Sequence, residues 1–119
     1  MSVEIFRTFN NWVVIGDISN ESKYAHKILK KLKNNGLNAN GVHPKGGNKI
    51  FKSLKEVPYK IEAIDLCINS AEGLKYIKEA NSLGIKNILI QPGAESKDIL
   101  DYCIKNNLNV VQGCALVDL

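Results

Sequence analysis

The chain is short of several things that would settle its class at once. It has three cysteines, Cys67, Cys103 and Cys114, widely spaced and with no CxxC pair or metal-ligand spacing. That excludes a disulfide framework and a zinc site, and it implies reduced thiols in a cytoplasmic protein. No apolar run approaches the roughly 20 residues that span a bilayer, so no membrane partner is expected. The start, Met1-Ser2-Val3-Glu4-Ile5, has neither the basic residues nor the apolar core of a secretion signal. Aromatics make up 7% of the residues and form no basic, stacking platform, so nucleic acid is not an expected partner. Repeats and low-complexity segments are absent, and so is the glycine-rich G-x-G-x-x-G fingerprint of dinucleotide sites.

What is present describes one ordinary folded domain spanning residues 1–119. Apolar residues make up 45% and charged residues 24%, enough for a core without staples. The net charge of +4 favours a polyanionic small molecule without demanding one. The lysines at 27, 30, 31 and 33 share one helical segment and read as a solvated face.

Five short apolar runs alternate with helical patterns: Trp12–Ile15, Ala39–Val42, Ala63–Ile68, Asn87–Ile90 and Asn109–Val111. Near-continuous apolar runs of this length suit strands covered on both faces of a parallel sheet. Between them, Ala25, Ile28, Leu29 and Leu32 form one helical stripe, and Leu74, Ile77 and Ala80 a second. Ile99, Leu100, Cys103 and Ile104 form a third. Gly36 and Gly84 stand where left-handed residues close helices, and Ser70 and Ser96 are expected N-caps. Lys49-Ile50-Phe51 reads as a short edge strand, and Ser53–Pro58 as a single helical turn. The expected fold is therefore α/β, Rossmann-like and doubly wound. It has five main parallel strands plus the edge strand, in order 3-2-1-4-5-6, within three αβα layers.

Open sheets of this kind bind ligands beyond the carboxyl ends of strands, beside the reversal of strand order. That places residues 16–20, 42–45, 68–71 and 91–93 around one crevice. Gly16 ends the first strand, where the missing Cβ allows a tight turn close to a ligand. The following loop opens a helix, so free N–H groups near Ser19 and Asn20 suit a pyrophosphate. Ser19, Asn20 or Ser22 can also cap that helix. Asp17 and Glu21 oppose an anion if they face inward. The second strand ends in His43-Pro44-Lys45 rather than in the acid that holds an NAD ribose. Lys45 there can neutralise a phosphate on an adenosine ribose, which leaves NADP and coenzyme A open; His43 is a candidate ligand contact.

These features carry a family resemblance. Ile15-Gly16 with its Ser-Asn loop, Val42-His43-Pro44-Lys45, Ser53-Leu54 with Pro58, Asp65, Gln91-Pro92-Gly93 and Cys114 resemble the small stand-alone CoA-binding proteins. Those are related to the CoA-binding domain of the succinyl-CoA synthetase alpha subunit. The resemblance implies CoA or acyl-CoA as ligand, with its nucleotide end on Gly16, Ile18, Ser19, Asn20 and Lys23 and on Val42, Pro44 and Lys45. It implies further that Ile68, Asn69 and Ser70 line the opposite wall and that Gln91 and Pro92 lie near the pantetheine path.

No catalytic constellation accompanies this. His26 lies within a helix pattern, and neither histidine has a serine or cysteine placed as a nucleophile. Asp65, inside a strand, reads as structural or as holding a loop; Cys67 and Cys103 read as small core residues, and Cys114 is the thiol to test for reactivity. The expectation is a non-catalytic CoA or acyl-CoA binding protein. Two alternatives are an NADP- or nucleotide-dependent enzyme or regulator completed by a partner chain, and an interaction module without a ligand. A homo-oligomer or a partner enzyme is compatible with each.

Overall fold

The computed structural model describes residues 2–119, with side chains from residue 4 onward. Strands β1 (Asn11–Gly16), β2 (Asn38–Val42), β3 (Ile50–Phe51), β4 (Ala63–Cys67), β5 (Asn87–Ile90) and β6 (Asn109–Gln112) form one sheet. Their order is β3-β2-β1-β4-β5-β6, every pairing parallel, as the apolar runs imply. Helices α1 (Ser2–Thr8), α2 (Tyr24–Asn34) and α5 (Ala115–Asp118) cover one face; α3 (Ser70–Ser82) and α4 (Lys97–Lys105) cover the other. No helix among the described residues is long and apolar enough to cross a membrane.

Alternation along each strand divides the core. Val13, Ile15, Ile64, Leu66, Ile88 and Ile90 face α3 and α4, while Trp12, Val14, Ala63 and Leu89 face α1, α2 and α5. Trp12 is fully buried, stacks on Phe6 with ring centroids 5.2 Å apart, and donates its indole N–H to the Phe9 carbonyl at 2.9 Å. Because β1 hydrogen-bonds on both sides and is covered above and below, its residues 12–16 are all buried.

Helix ends are partly as expected. Gly36 and Gly84 adopt φ of +81° and +79°, closing α2 and α3. Ser96 caps α4, its hydroxyl accepting from the Ile99 N–H at 3.2 Å. Ser70 is not a cap: Asn69 holds that place, its Oδ1 accepting from the Glu72 N–H at 3.0 Å. Asn is as good a cap as Ser, so adjacent candidates leave the choice to the tertiary frame. Ile104 is 75% exposed rather than part of the buried stripe of α4. The helix is only nine residues long, and its packed face is narrow enough to be served by Ile99 and Cys103.

Gly16 sits at the tightest point of the sheet. A Cβ there would lie 2.5 Å from the Cys67 carbonyl oxygen of β4 and 2.7 Å from the Ala25 Cβ of α2. The small residue thus serves the approach of helix to sheet, and the neighbour it admits is protein rather than ligand. Gly16→Ala must push α2 or β4 aside, since no flexible side-chain end is there to give way. It is expected to lose about 2–3 kcal/mol of stability, read as a lower urea midpoint at unchanged slope.

Candidate functional site

The β1–α2 loop and the β2–β3 loop meet over the carboxyl ends of β1 and β2. Ile18, nearly buried, is the keystone: a Cβ on Gly41 of β2 would strike its Cγ1 at 2.5 Å. The glycine therefore makes the seat for Ile18. His26, one turn into α2, places Nδ1 2.9 Å from the Ile18 carbonyl. A carbonyl only accepts, so Nδ1 carries the proton and Nε2 is left to face outward.

The loop beyond Ile18 turns on its own side chains. Ser19 donates its hydroxyl to Asp17 Oδ1 at 3.2 Å, and Asn20 Oδ1 accepts from the Ser22 N–H and hydroxyl at 3.0 and 2.7 Å. None of these residues caps α2. Its N-cap is Lys23, without a side-chain hydrogen bond, so the first turn of the helix presents uncapped N–H groups toward the loop. The expected cap is corrected, and the amide-rich end it would have blocked stays open.

Opposite stands the β2–β3 loop. His43 Nδ1 accepts from the Lys45 N–H at 3.1 Å, and the His43 carbonyl accepts from the Gly46 N–H at 2.9 Å. Together the loops enclose a crevice of about 690 Å³ lined by Asp17, Ile18, Ser19, Asn20, Glu21, His43, Lys45, Gly46 and Ile50. Beside it, sharing Ile18, Ser19, Glu21 and Ile50, lies an outer chamber of about 550 Å³. Its floor is apolar (Ile18, Leu29, Gly41 and Ile50), and its rim carries His26, Lys30, Lys33 and Lys49.

The crevice brings together five residues expected from the sequence: Ile18, Ser19, Asn20, His43 and Lys45. Others lie elsewhere. Gly16 and Val42 are buried in the sheet, Lys23 and Pro44 are exposed outside both hollows, and Ile68, Asn69 and Ser70 line neither of them. Asn69 spends its side chain on α3, and Ile68 packs against the core. Pro92 is exposed. Gln91 is 3% exposed and donates its amide to Asp65 Oδ1 at 2.7 Å. The hollow therefore opens between the ends of β1 and β2 rather than across the reversal between β1 and β4.

Sequence reasoning passed over His26, Lys30, Lys33 and Lys49. The first three are spaced i, i+4, i+7 and so share one helical stripe, which was the available signal. Lys49 is a further case, a non-glycine residue at φ +60° in the turn closed by the Ile50 N–H on the Gly47 carbonyl at 3.2 Å. Such a conformation costs a lysine on the order of 1 kcal/mol and clusters at functional sites.

The family described as "CoA binding domain" matches residues 10–119. The chain belongs to that family. This CoA-binding-domain protein is also similar to a conserved hypothetical protein from Pyrococcus furiosus. The two are 31% identical over 93% of this chain and 100% of that one, with a TM-score of 0.85. A hypothetical protein from Pyrococcus horikoshii OT3 shares the fold at TM-score 0.89 and 22% identity, over 98% of this chain and 87% of that chain. A Thermus thermophilus protein shares the fold at 0.84 and 15%, over 98% and 93%. No curated protein matches.

Away from the hollow, Asp65 is fully buried on the α2 side of β4, with Oδ2 unpartnered among the described residues. Burial pushes its carboxyl up to about 7, which the Gln91 hydrogen bond only partly opposes. Burial first, then the nearby Asp65 and Cys114, pushes the Cys67 thiol up to about 11, so Cys67 is a poor nucleophile. Since the folded carboxyl holds its proton more tightly than the unfolded one, its contribution to stability is full below about pH 4 and is lost as pH rises through about 7. Asp65→Asn keeps an acceptor for Gln91 and removes the proton. Urea midpoints at pH 5 and pH 8 should show a drop for the wild type on the order of 1–3 kcal/mol and a much flatter profile for the variant.

Proposed function

We propose that this protein binds coenzyme A or an acyl-CoA without transforming it, as a carrier, sensor or regulator. The observation that carries the reading is a polar crevice lined by Ser19, Asn20 and Lys45, formed in part by the loop that leads into the uncapped start of α2, in a chain of the CoA-binding-domain family. Backbone N–H groups at a helix start are suited to a diphosphate, because the donors and the helix dipole both favour negative charge. Ser19 and Asn20 bring the loop backbone to one side of that diphosphate, and Lys45 brings a cation to the other.

The non-catalytic part of the proposal rests on how the reactive groups are used. Each histidine has its Nδ1 committed to backbone, His26 to the Ile18 carbonyl and His43 to the Lys45 N–H. Asp65 is sealed under the sheet with Gln91, and Cys67 is held in its thiol form. A general base within reach of a nucleophile is the signature of acyl transfer, and these residues do not form one.

Thermal shift with CoA, NADP and NAD tests the reading. At 100-fold excess over Kd, CoA should add about 2.7 kcal/mol of stability, and NAD should add little. A preference for NADP over CoA would replace the proposal with a nucleotide-dependent enzyme, and silence from all three would point to an interaction module. Lys45→Ala should weaken CoA by about 1 kcal/mol, and Glu21→Gln should tighten it by a similar amount, both effects shrinking as salt is raised. Isothermal calorimetry at two ionic strengths measures them.

A further inference from the structure

We infer that the outer chamber, and not Lys45, reads the phosphate that distinguishes CoA from its dephosphorylated form, through Lys49 of the β2–β3 turn with Lys30 and Lys33 of α2. The inference rests on the CoA reading above and deepens it.

Charge is distributed unevenly between the two hollows. The crevice holds one lysine, Lys45, against two carboxylates, Asp17 and Glu21. The outer chamber holds three lysines against Glu21 alone. A phosphate monoester carries about −1.5 to −2 at neutral pH, more than either phosphate of a diphosphate. The more highly charged group belongs where the cations are concentrated. Among the described residues the ion pairs join Lys75 to Glu72 and Lys97 to Asp101, so the three chamber lysines keep their charge for a ligand.

Geometry supports the same assignment. The hollows share Ile18, Ser19, Glu21 and Ile50, so a ribose seated at that common wall can send its diphosphate one way and its monoester the other. Lys30 and Lys33 approach from the helix and Lys49 from the opposite loop, which lets them close on the phosphate from two sides. Lys49 reaches that position through a left-handed backbone that glycine or asparagine adopts with less strain.

The test compares CoA with dephospho-CoA by isothermal calorimetry on the full chain. The wild type is expected to bind CoA at least about tenfold more tightly, as one charge-assisted cluster would give. In the triple variant Lys30→Gln, Lys33→Gln, Lys49→Asn the preference should collapse to about twofold or less, mostly through loss of CoA affinity. The single variant Lys49→Asn should lose part of the preference, and because asparagine tolerates the turn its ligand-free Tm should equal or exceed that of the wild type. Lys45→Gln should weaken both ligands alike and leave their ratio standing. If Lys45→Gln abolishes the ratio while the triple variant keeps it, the inference is wrong and the CoA reading survives. Equal binding of both ligands by the wild type has the same meaning. If the wild type binds neither, the CoA reading itself falls and this inference with it.

Discussion

The close approach of α2 to the sheet at Gly16 is the constraint on which the binding end depends. With a carbonyl of β4 and a methyl of α2 both closer than van der Waals contact to the missing Cβ, only a glycine lets the helix pack this tightly on the strand. Its first turn is thereby fixed over the end of β1. The loops that follow form their hollow between the ends of β1 and β2, next to the reversal at β1 and β4 where open α/β sheets usually receive a ligand. A second glycine, Gly41, repeats the device one strand over by seating Ile18. The site is thus shaped by two absent side chains before any polar group contributes.

Polar chemistry then divides the space. A loop that satisfies itself through Ser19–Asp17 and Asn20–Ser22 hydrogen bonds does not consume the helix-end amides, so they remain available. The two acids of this loop would repel a concentrated negative charge but tolerate a diffuse one. Three lysines lining the adjoining chamber supply the opposite preference. A molecule with charge at two separated points is oriented by such a field more than by any single contact.

The sheet order, the strand positions, the edge strand and most helix ends were legible in the sequence, because buried parallel strands and glycine-closed helices leave strong local patterns. The first and last helices were not. Their seven and four residues are too few for an amphipathic stripe, and they exist because Ile5, Phe6 and Ala115 find the sheet face. Capping failed where several short polar residues competed, since Asn20 and Ser22 bond each other as readily as a helix start. Of the residues that line the two hollows, those adjoining strand ends were named from the sequence and those on the flank of α2 were not. Lys30 and Lys49 look like solvated charges until the chain folds them toward one another. The buried partner of Gln91 was likewise hidden, because Asp65 and Gln91 are 26 positions apart and meet only across β4 and β5.

The outer margin of the sheet also bears on association between chains. β3 contributes only two residues, and the turn just before it projects Lys49. A strand that brief, fronted by a positive charge, gives a foreign chain almost no ladder to extend and repels a like copy of itself. Edge-to-edge association is therefore discouraged on this flank, by the same lysine that lines the chamber.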